Sequence, residues 1–522
     1  MTRTARDPAA ADDLPRLVAL HHVPRHGRFG DPKPIVHDGR THVFFQNSPR
    51  PDAFETMRWA HVVSDDLVRW TTLQDALVPD ADGPDAFGCW TGCVIRHGGR
   101  FHAFYTGVGA PYGGRQTVCH AESDDLIHWR KDPANPLVTP VAPFATGPSA
   151  AWRDPQLRRT ADGGFEMVLT AELDRGPKAL RACVARLLSE DLRSWRVDGV
   201  LHHPADVHRC ECPEVVELDG RYVLLYSDYG VQARVADDPR GPYRRPAAAQ
   251  LDDFRWYAAK SALHGRRRLL FAFVFDRIAV DAAVDVTEAP VLGAPPPGTP
   301  EGVPDDGSPW TWGGAMAFPR ELALGPDGAP AVRPIAELDA LRAETLPLVP
   351  DLAGALGSWR VEMHAEGAEV RGEAADGGEL ALLRLGRQPQ RFETCFRVRW
   401  GADGQLGILL HADAEVAGGY RVDLDRSRGD LTLRRLIPHR NPASPVLQRM
   451  ALPLDLADEV EVRALLDGSL LELFIGGRVA FTGRLYERAS DAWWGVSTRG
   501  STRLGRLRAW RLALPADGDG RR

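Results

Sequence analysis

The chain is poor in cysteine, in long apolar runs and in charge of one sign, and each shortage excludes something. Seven cysteines (Cys89, Cys93, Cys119, Cys183, Cys210, Cys212 and Cys395) are an odd, sparse set for 522 residues, so reduced thiols rather than structural disulfides are expected. No paired Cys-x-x-Cys completes a zinc set, and neither a metal nor another cofactor is expected. The N-terminal stretch MTRTARDPAAADDLPRLVALHHVPRHG lacks the uninterrupted apolar run of a signal peptide, and no later stretch is long enough to span a bilayer. A cytoplasmic location with no membrane partner is therefore predicted. Asp plus Glu exceed Lys plus Arg by 71 to 64, a formal charge of −7 without a long single-sign block, which argues against a nucleic-acid partner. Whether the chain is a monomer or a homo-oligomer is not written in it.

Glycine and proline, by contrast, are plentiful at 51 and 41, which suits a turn-rich all-β protein better than a helical one. A length of 522 residues exceeds what one core usually serves, so two domains are expected. Five times a Gly opens an apolar strand, at Gly39, Gly99, Gly163, Gly220 and Gly265, and eight or nine residues earlier stand Asp31, Trp90, Asp154, Glu211 and Trp256. A second echo follows the first three, as Ser64-Asp-Asp-Leu67, Ser123-Asp-Asp-Leu126 and Ser189-Glu-Asp-Leu192, each running on to a Trp. Units of this period, built of β-branched and aromatic runs divided by Gly, Pro and Asp turns, read as four-stranded propeller blades. The Ser-x-Asp-Leu turns are read as structural, the Asp bonding its own backbone and the Trp packing between blades.

The predicted division is an extended or disordered segment over 1–20, a five-bladed β-propeller over 21–332, a linker with a short helix over 333–357, a C-terminal β-sandwich over 358–514 and a disordered tail over 515–522. The helix is expected at Ile335–Arg342, and the sandwich from alternating strands such as Gly419–Asp425 and Leu470–Ile475.

Equivalent positions in a ring of blades face one axis, so Asp31, Asp154 and Glu211 would share a cavity with Trp90 and Trp256, the furnishing of a glycosidase site. Asp31 sits in Phe29-Gly-Asp-Pro-Lys-Pro34, and Asp154 follows Arg153, whose guanidinium would keep it ionised. Asp-Pro occurs five times in the chain, so register rather than the dipeptide singles these out. Glu211 lies in His208-Arg-Cys-Glu-Cys-Pro213, where weakly polar thiols would let the carboxyl keep a proton as a general acid must. An edge-strand Glu, or a metal group of His208, Cys210 and Cys212, are the blander alternatives there. Trp90 and Trp256 are either core aromatics or faces for a sugar ring. His21 and His22 are expected to face solvent or pack, and Arg28 to be a rim charge.

Taken in order, these motifs resemble glycoside hydrolase family 32, the invertases, levanases and related β-fructofuranosidases. The resemblance rests on Phe44-Phe-Gln-Asn-Ser-Pro49, on Trp59-Ala-His61 running to Trp70, on Cys89-Trp-Thr-Gly-Cys93, Trp152-Arg-Asp-Pro155 and Cys210-Glu-Cys-Pro213, and on Met316–Leu322 and Leu470–Ile475. It implies the same propeller and sandwich, with Asp31 as nucleophile, Asp154 as transition-state stabiliser and Glu211 as general acid/base. Gln46, Trp59, Trp90, Thr91 and Arg153 would bind the substrate, with Trp256 added from its register. One departure falls at the nucleophile. The family's W-M-N-D-P-N-G is here Arg28-Phe-Gly-Asp-Pro-Lys-Pro34, so Gly30 replaces the Asn that usually touches the sugar. The expected activity is retaining β-fructofuranosidase action on sucrose or short fructo-oligosaccharides, a small carbohydrate substrate. The alternatives are a fructosyltransferase, an arabinosidase- or xylosidase-like propeller glycosidase and a catalytically weak fructan-binding protein.

Overall fold

The computed structural model describes residues 18–515 except 49–55, 110–113, 149, 206, 208, 247–248, 278–309, 375–379, 402–403, 417, 437–445, 454–456, 487 and 489. The chain is all-β, and among the described residues helix is confined to the 3₁₀ turns Lys178–Leu180 and Ala336–Leu341. The second lies where the short helix was expected.

Five antiparallel sheets form in chain order. The first comprises Gly30–His37, Arg40–Asn47, Arg58–Ser64 and Thr71–Thr72, and the second Gly88–His97, Arg100–Val108, Gln116–Ser123 and Trp129–Lys131. The third comprises Trp152–Arg159, Phe165–Glu172, Ala182–Ser189 and Arg196–His202, and the fourth Glu211–Leu218, Arg221–Ser227 and Val231–Ala236. The fifth runs Trp256–His264, Arg267–Arg277, Arg320–Leu324 and Pro330–Pro334, with Trp310–Met316 paired to the second of these. The leading strands adjoin in this order, and the fifth adjoins the first.

The repeated glycines make the first hairpin of each sheet. Asp38-Gly39, Gly98-Gly99 and Asp219-Gly220 all have positive φ at both residues and join strands paired on either side of them, the geometry of a tight two-residue turn that matches strand twist. The Ser-x-Asp-Leu echo is also a turn. Asp66, Asp125 and Asp191 each accept two backbone N–H groups two and three residues on, and Leu67, Leu126 and Leu192 sit at φ of 64°, 67° and 64°. Those leucines are buried at 2% exposure or less, so the anchoring of an apolar side chain holds each turn in its left-handed step.

The chain then forms an eight-stranded and a six-stranded sheet, which enclose a shared core including Val370, Leu383, Phe396, Ile408, Leu473 and Trp494. A buried ionic network joins these strands to the fifth sheet. Arg320, with no exposed side-chain surface, donates to Asp252 (2.5 Å), Glu472 (2.7 Å) and Thr482 (2.7 Å). His21 is not solvent-facing: its ring is fully buried between Asp467 (2.9 Å) and Glu472 (3.0 Å), and the backbone N–H groups of Ala19, Leu20 and His21 also reach Asp467. Residues 18–20, expected to be loose, are thereby pinned to the C-terminal strands. His22 and Arg28 are half-buried, and burial lowers the pKa of His22 to about 4. The remainder of the expected loose N-terminus, and residues 516–522 of the expected tail, lie outside the described residues.

Candidate active site

Every leading strand breaks register at one place, and there the chemistry sits. Pairing shifts across Asp31 in the first strand, across Thr91 in the second, across Asp154 and Pro155 in the third, across Cys212 and Pro213 in the fourth and across Ala258 and Ala259 in the fifth. A bulge of this kind bends the strand and re-aims the residue that lost its partner. Asp154, Cys212 and Ala258 adopt φ of 60°, 52° and 54°, a left-handed backbone that costs a non-glycine residue about 1–3 kcal/mol and persists only where the surroundings impose it.

The bulges bring the three carboxylates together. Thr91 donates to Asp31 Oδ2 at 2.6 Å and also contacts the side-chain amide of Gln46. Asp154, 3% exposed, accepts from the Thr170 hydroxyl (3.1 Å) and the Cys212 N–H (3.0 Å). Arg153 ties two members to each other, donating to Glu211 Oε1 at 2.7 Å while its Nε lies 3.6 Å from Asp154 Oδ2. Tyr257 donates to Glu211 Oε2 at 2.6 Å, and Arg209 approaches Oε1 at 3.4 Å.

The electrostatics divide the carboxylates. Burial and the neighbouring Asp154 raise the pKa of Asp31 to about 6, Lys33 and the Thr91 hydrogen bond pull against them, and Glu211 adds to the rise. Glu211 goes the other way. Burial disfavours its charge, but Arg153, Arg209 and Tyr257 outweigh burial and hold it below the usual Glu range. The expected thiol environment is corrected in its effect: Cys210 and Cys212 are buried, with Cys212 near Asp31 and Asp154, but the hydrogen-bond partners of the Glu211 carboxyl are cationic and hydroxyl donors. His208, the remaining member of the alternative metal group, lies outside the described residues.

Lysine is scarce, with only Lys33, Lys131, Lys178 and Lys260 in the whole chain, and two of the four are buried under this site. Lys33 donates to the Asp31 carbonyl at 2.8 Å and lies 4.8 Å from the centre of the Trp59 ring, and Lys260 donates to the Pro213 carbonyl at 2.8 Å. Burial lowers the pKa of Lys33 to about 7 against the pull of Asp31.

The expected binding residues fall into two groups. Trp90 and Arg153 are partly open, while Gln46 and Thr91 are buried against Asp31. Trp59 is fully buried, its indole N–H spent on the Trp90 carbonyl at 2.8 Å, and so forms the wall behind the site. Trp256 is a correction. It is fully buried with Arg320 stacked 4.5 Å from its ring, in the core beside the C-terminal strands, where no sugar can reach it. Its neighbour Tyr257 takes the site face instead. Strand alternation places residues 256 and 257 on opposite faces, and that signal could have found Tyr257. Thr170 and Lys33 carried no comparable mark.

Three clustered carboxylates, a bridging arginine and aromatic walls on an all-β scaffold define an enzyme of the glycoside-cleaving class. Residues 21–276 match the N-terminal domain of glycosyl hydrolases family 32 and residues 364–511 the C-terminal domain of the same family. The chain belongs to glycoside hydrolase family 32. It is similar to sucrose-6-phosphate hydrolase of Escherichia coli, 25% identical with 90% of each chain covered. It is also similar to beta-fructofuranosidase, insoluble isoenzyme 1, of Oryza sativa subsp. japonica, 26% identical with 95% of this chain and 90% of the relative covered. Among solved structures, fructan 1-exohydrolase IIa from Cichorium intybus shares the fold with a TM-score of 0.69 at 19% identity, covering 95% of this chain and 97% of that one. The Bombyx mori GH32 beta-fructofuranosidase gives 0.66 at 20% identity, covering 96% of both.

Proposed function

We propose that the protein is a retaining β-fructofuranosidase acting on terminal fructosyl bonds of sucrose or short fructo-oligosaccharides. The scaffold is read as a five-bladed propeller over 21–332, a linker over 333–357 and a β-sandwich over 358–514. Cytoplasmic action on small sugars belongs to the same reading and is supported by seven free cysteines. The relatives named above act on sucrose 6-phosphate and β-fructofuranosides by their names, which supports a fructosyl substrate here. The observation that carries the reading is the single cluster in which Arg153 links Glu211 to Asp154 while Thr91 holds Asp31.

In this reading an Asp31 carboxylate oxygen attacks the anomeric carbon of fructose. The bond to the leaving oxygen breaks, and Glu211 gives that oxygen its proton. Water then attacks the fructosyl-Asp31 ester, surrendering a proton to Glu211 and freeing both fructose and the carboxylate. Asp154 stabilises positive charge developing on the ring between these steps. The resting site favours a proton on Asp31 over Glu211, so catalysis requires the bound sugar to draw Glu211 away from part of its cationic surroundings.

The test is fructose release from sucrose by the parent chain and by Asp31→Ala and Glu211→Ala. Loss of the acid/base lowers kcat by about 10²–10⁴-fold, and loss of the nucleophile by at least as much. Near-parental turnover in either variant refutes its role. With methanol as acceptor, retention yields the β-methyl fructoside, and the α-anomer would exclude the double-displacement route.

A further inference from the structure

Away from the carboxylate cluster, on the second sheet, two imidazoles and a carboxylate converge. His102 on Arg100–Val108 faces Glu122 on Gln116–Ser123, and His120 lies two residues along that strand. His102 Nδ1 is 3.1 Å from His120 Nε2 and 3.7 Å from Glu122 Oε1, and all three ligand atoms lie within 4.8 Å of one another. Their side chains are 10%, 0% and 17% exposed.

The outer nitrogens fix what the inner ones can do. His102 Nε2 meets the His97 carbonyl at 3.3 Å, and His120 Nδ1 meets Asp132 Oδ2 at 3.0 Å. Both near partners are acceptors, and the Arg193 guanidinium reaches His120 Nδ1 only at 3.5 Å, so each outer nitrogen carries its ring's hydrogen. Two neutral rings hold two hydrogens, and both are then spent. The inner nitrogens are left without a hydrogen 3.1 Å from each other, a contact that a shared proton or a bound metal ion closes. Two imidazole nitrogens bound to one tetrahedral zinc ion at 2.0–2.1 Å stand about 3.3 Å apart, close to this separation. The outer carbonyl and carboxylate are the partners that ordinarily orient metal-binding histidines.

The first sheet supplies an internal comparison. His42 and His61 occupy equivalent register positions, with Nδ1 and Nε2 3.0 Å apart. There Val63 stands where Glu122 does, and His61 Nδ1 meets no acceptor among the described residues, so one hydrogen in the gap suffices. The pair alone is a packing motif, and the second sheet adds the acid and the orienting acceptors.

We propose that His102, His120 and Glu122 form a binding site for a divalent ion of the zinc type, a borderline transition metal suited to imidazole and carboxylate donors. Arg193, whose side chain is 46% exposed, now donates to both Glu122 and Asp132 and is the competing cation. Metal binding turns it out to solvent and leaves His102 Nδ1, His120 Nε2 and Glu122 Oε1 as the three protein ligands. The site lies outside the proposed catalytic cluster and supplies no group to it.

Titration of the metal-free chain with Co²⁺, followed by visible absorption and reversed by Zn²⁺, tests the site without reference to hydrolysis. One equivalent is expected to give the spectrum of a four- or five-coordinate ion. His102→Ala abolishes it, His42→Ala leaves it intact, Arg193→Gln tightens it, and Asp132→Asn weakens binding about 10–100-fold. No one-equivalent spectrum in the parent chain, or the same spectrum in His102→Ala, means that a shared proton closes the gap, and the site is refuted. Circular dichroism of each variant without metal checks its fold, and the parent titration decides alone if His102→Ala does not fold.

Discussion

Lys33 shows how one side chain sets the charge of another without reaching the substrate. Its ammonium is buried beside Asp31, where it opposes the rise that burial and Asp154 impose on that carboxyl. Lys33→Met removes the opposition, so Asp31 holds its proton to higher pH; because the resting site protonates Asp31 before Glu211, the alkaline limb of kcat/KM moves upward. Arg209 acts on the other carboxyl, lying half exposed at 3.4 Å from Glu211. Arg209→Gln lets Glu211 keep its proton longer, and the acidic limb moves upward. Opposite shifts in either pH profile contradict the assignment of base and acid. At this scale the three carboxylates were legible because each sits eight or nine residues before a turn glycine, whereas Arg153 and Thr91 came from the family resemblance. It did not yield Tyr257, Thr170 or Lys33, whose importance comes from contacts between sheets. Trp256 was misread because a register counted to within a residue does not say which face a side chain takes.

Turns and bulges, the features of single elements, were unevenly legible. The Gly-led hairpins and Ser-x-Asp-Leu turns are written locally, since a left-handed step or a side-chain-to-backbone bond needs particular residues at particular places. The bulges at Asp31, Thr91, Asp154, Cys212 and Ala258 were not, because a bulge belongs to the pairing of two strands and neither strand announces it alone. The turn role is open to a stability measurement. Asp191 accepts the N–H groups of Arg193 (2.8 Å) and Ser194 (2.7 Å), and these bonds lower its pKa to about 2. Asp191→Ala is expected to cost about 1–2 kcal/mol in urea unfolding while sucrose turnover stays parental. A loss of turnover without loss of stability would make this turn part of the chemistry.

Across the whole molecule, the buried network of Arg320, Asp252, Glu472, Asp467 and His21 welds the N-terminal sheets to the C-terminal strands. Its members come from four separate stretches of chain, and only the motifs that contain Arg320 and Glu472 were visible in sequence. Glu472→Ala strands the Arg320 cation and half of the His21 contacts in a fully buried site, a loss of about 3–5 kcal/mol that thermal unfolding would register. An unchanged melting temperature would contradict the weld. Burial opposes the His21 charge, but hydrogen bonds to Asp467 and Glu472 outweigh it and raise the folded pKa above 6.5. Its stabilisation is therefore full below the unfolded value and lost as pH rises through the folded one. Asp467 and Glu472, both lowered, lose theirs as pH falls through their folded values. The alternating strands of residues 358–514 were readable because each sheet buries one face, whereas the docking of the two halves depends on side chains hundreds of residues apart.

The most direct measurement is the mass of the Glu211→Gln variant after brief exposure to β-fructosyl fluoride, whose leaving group needs no proton. A fructosyl adduct on the peptide containing Asp31, absent when Asp31 is also replaced by Asn, is the predicted result. An adduct on another residue, or turnover to inverted product with no adduct, would contradict the convergence of Asp31 and Glu211 on one anomeric carbon.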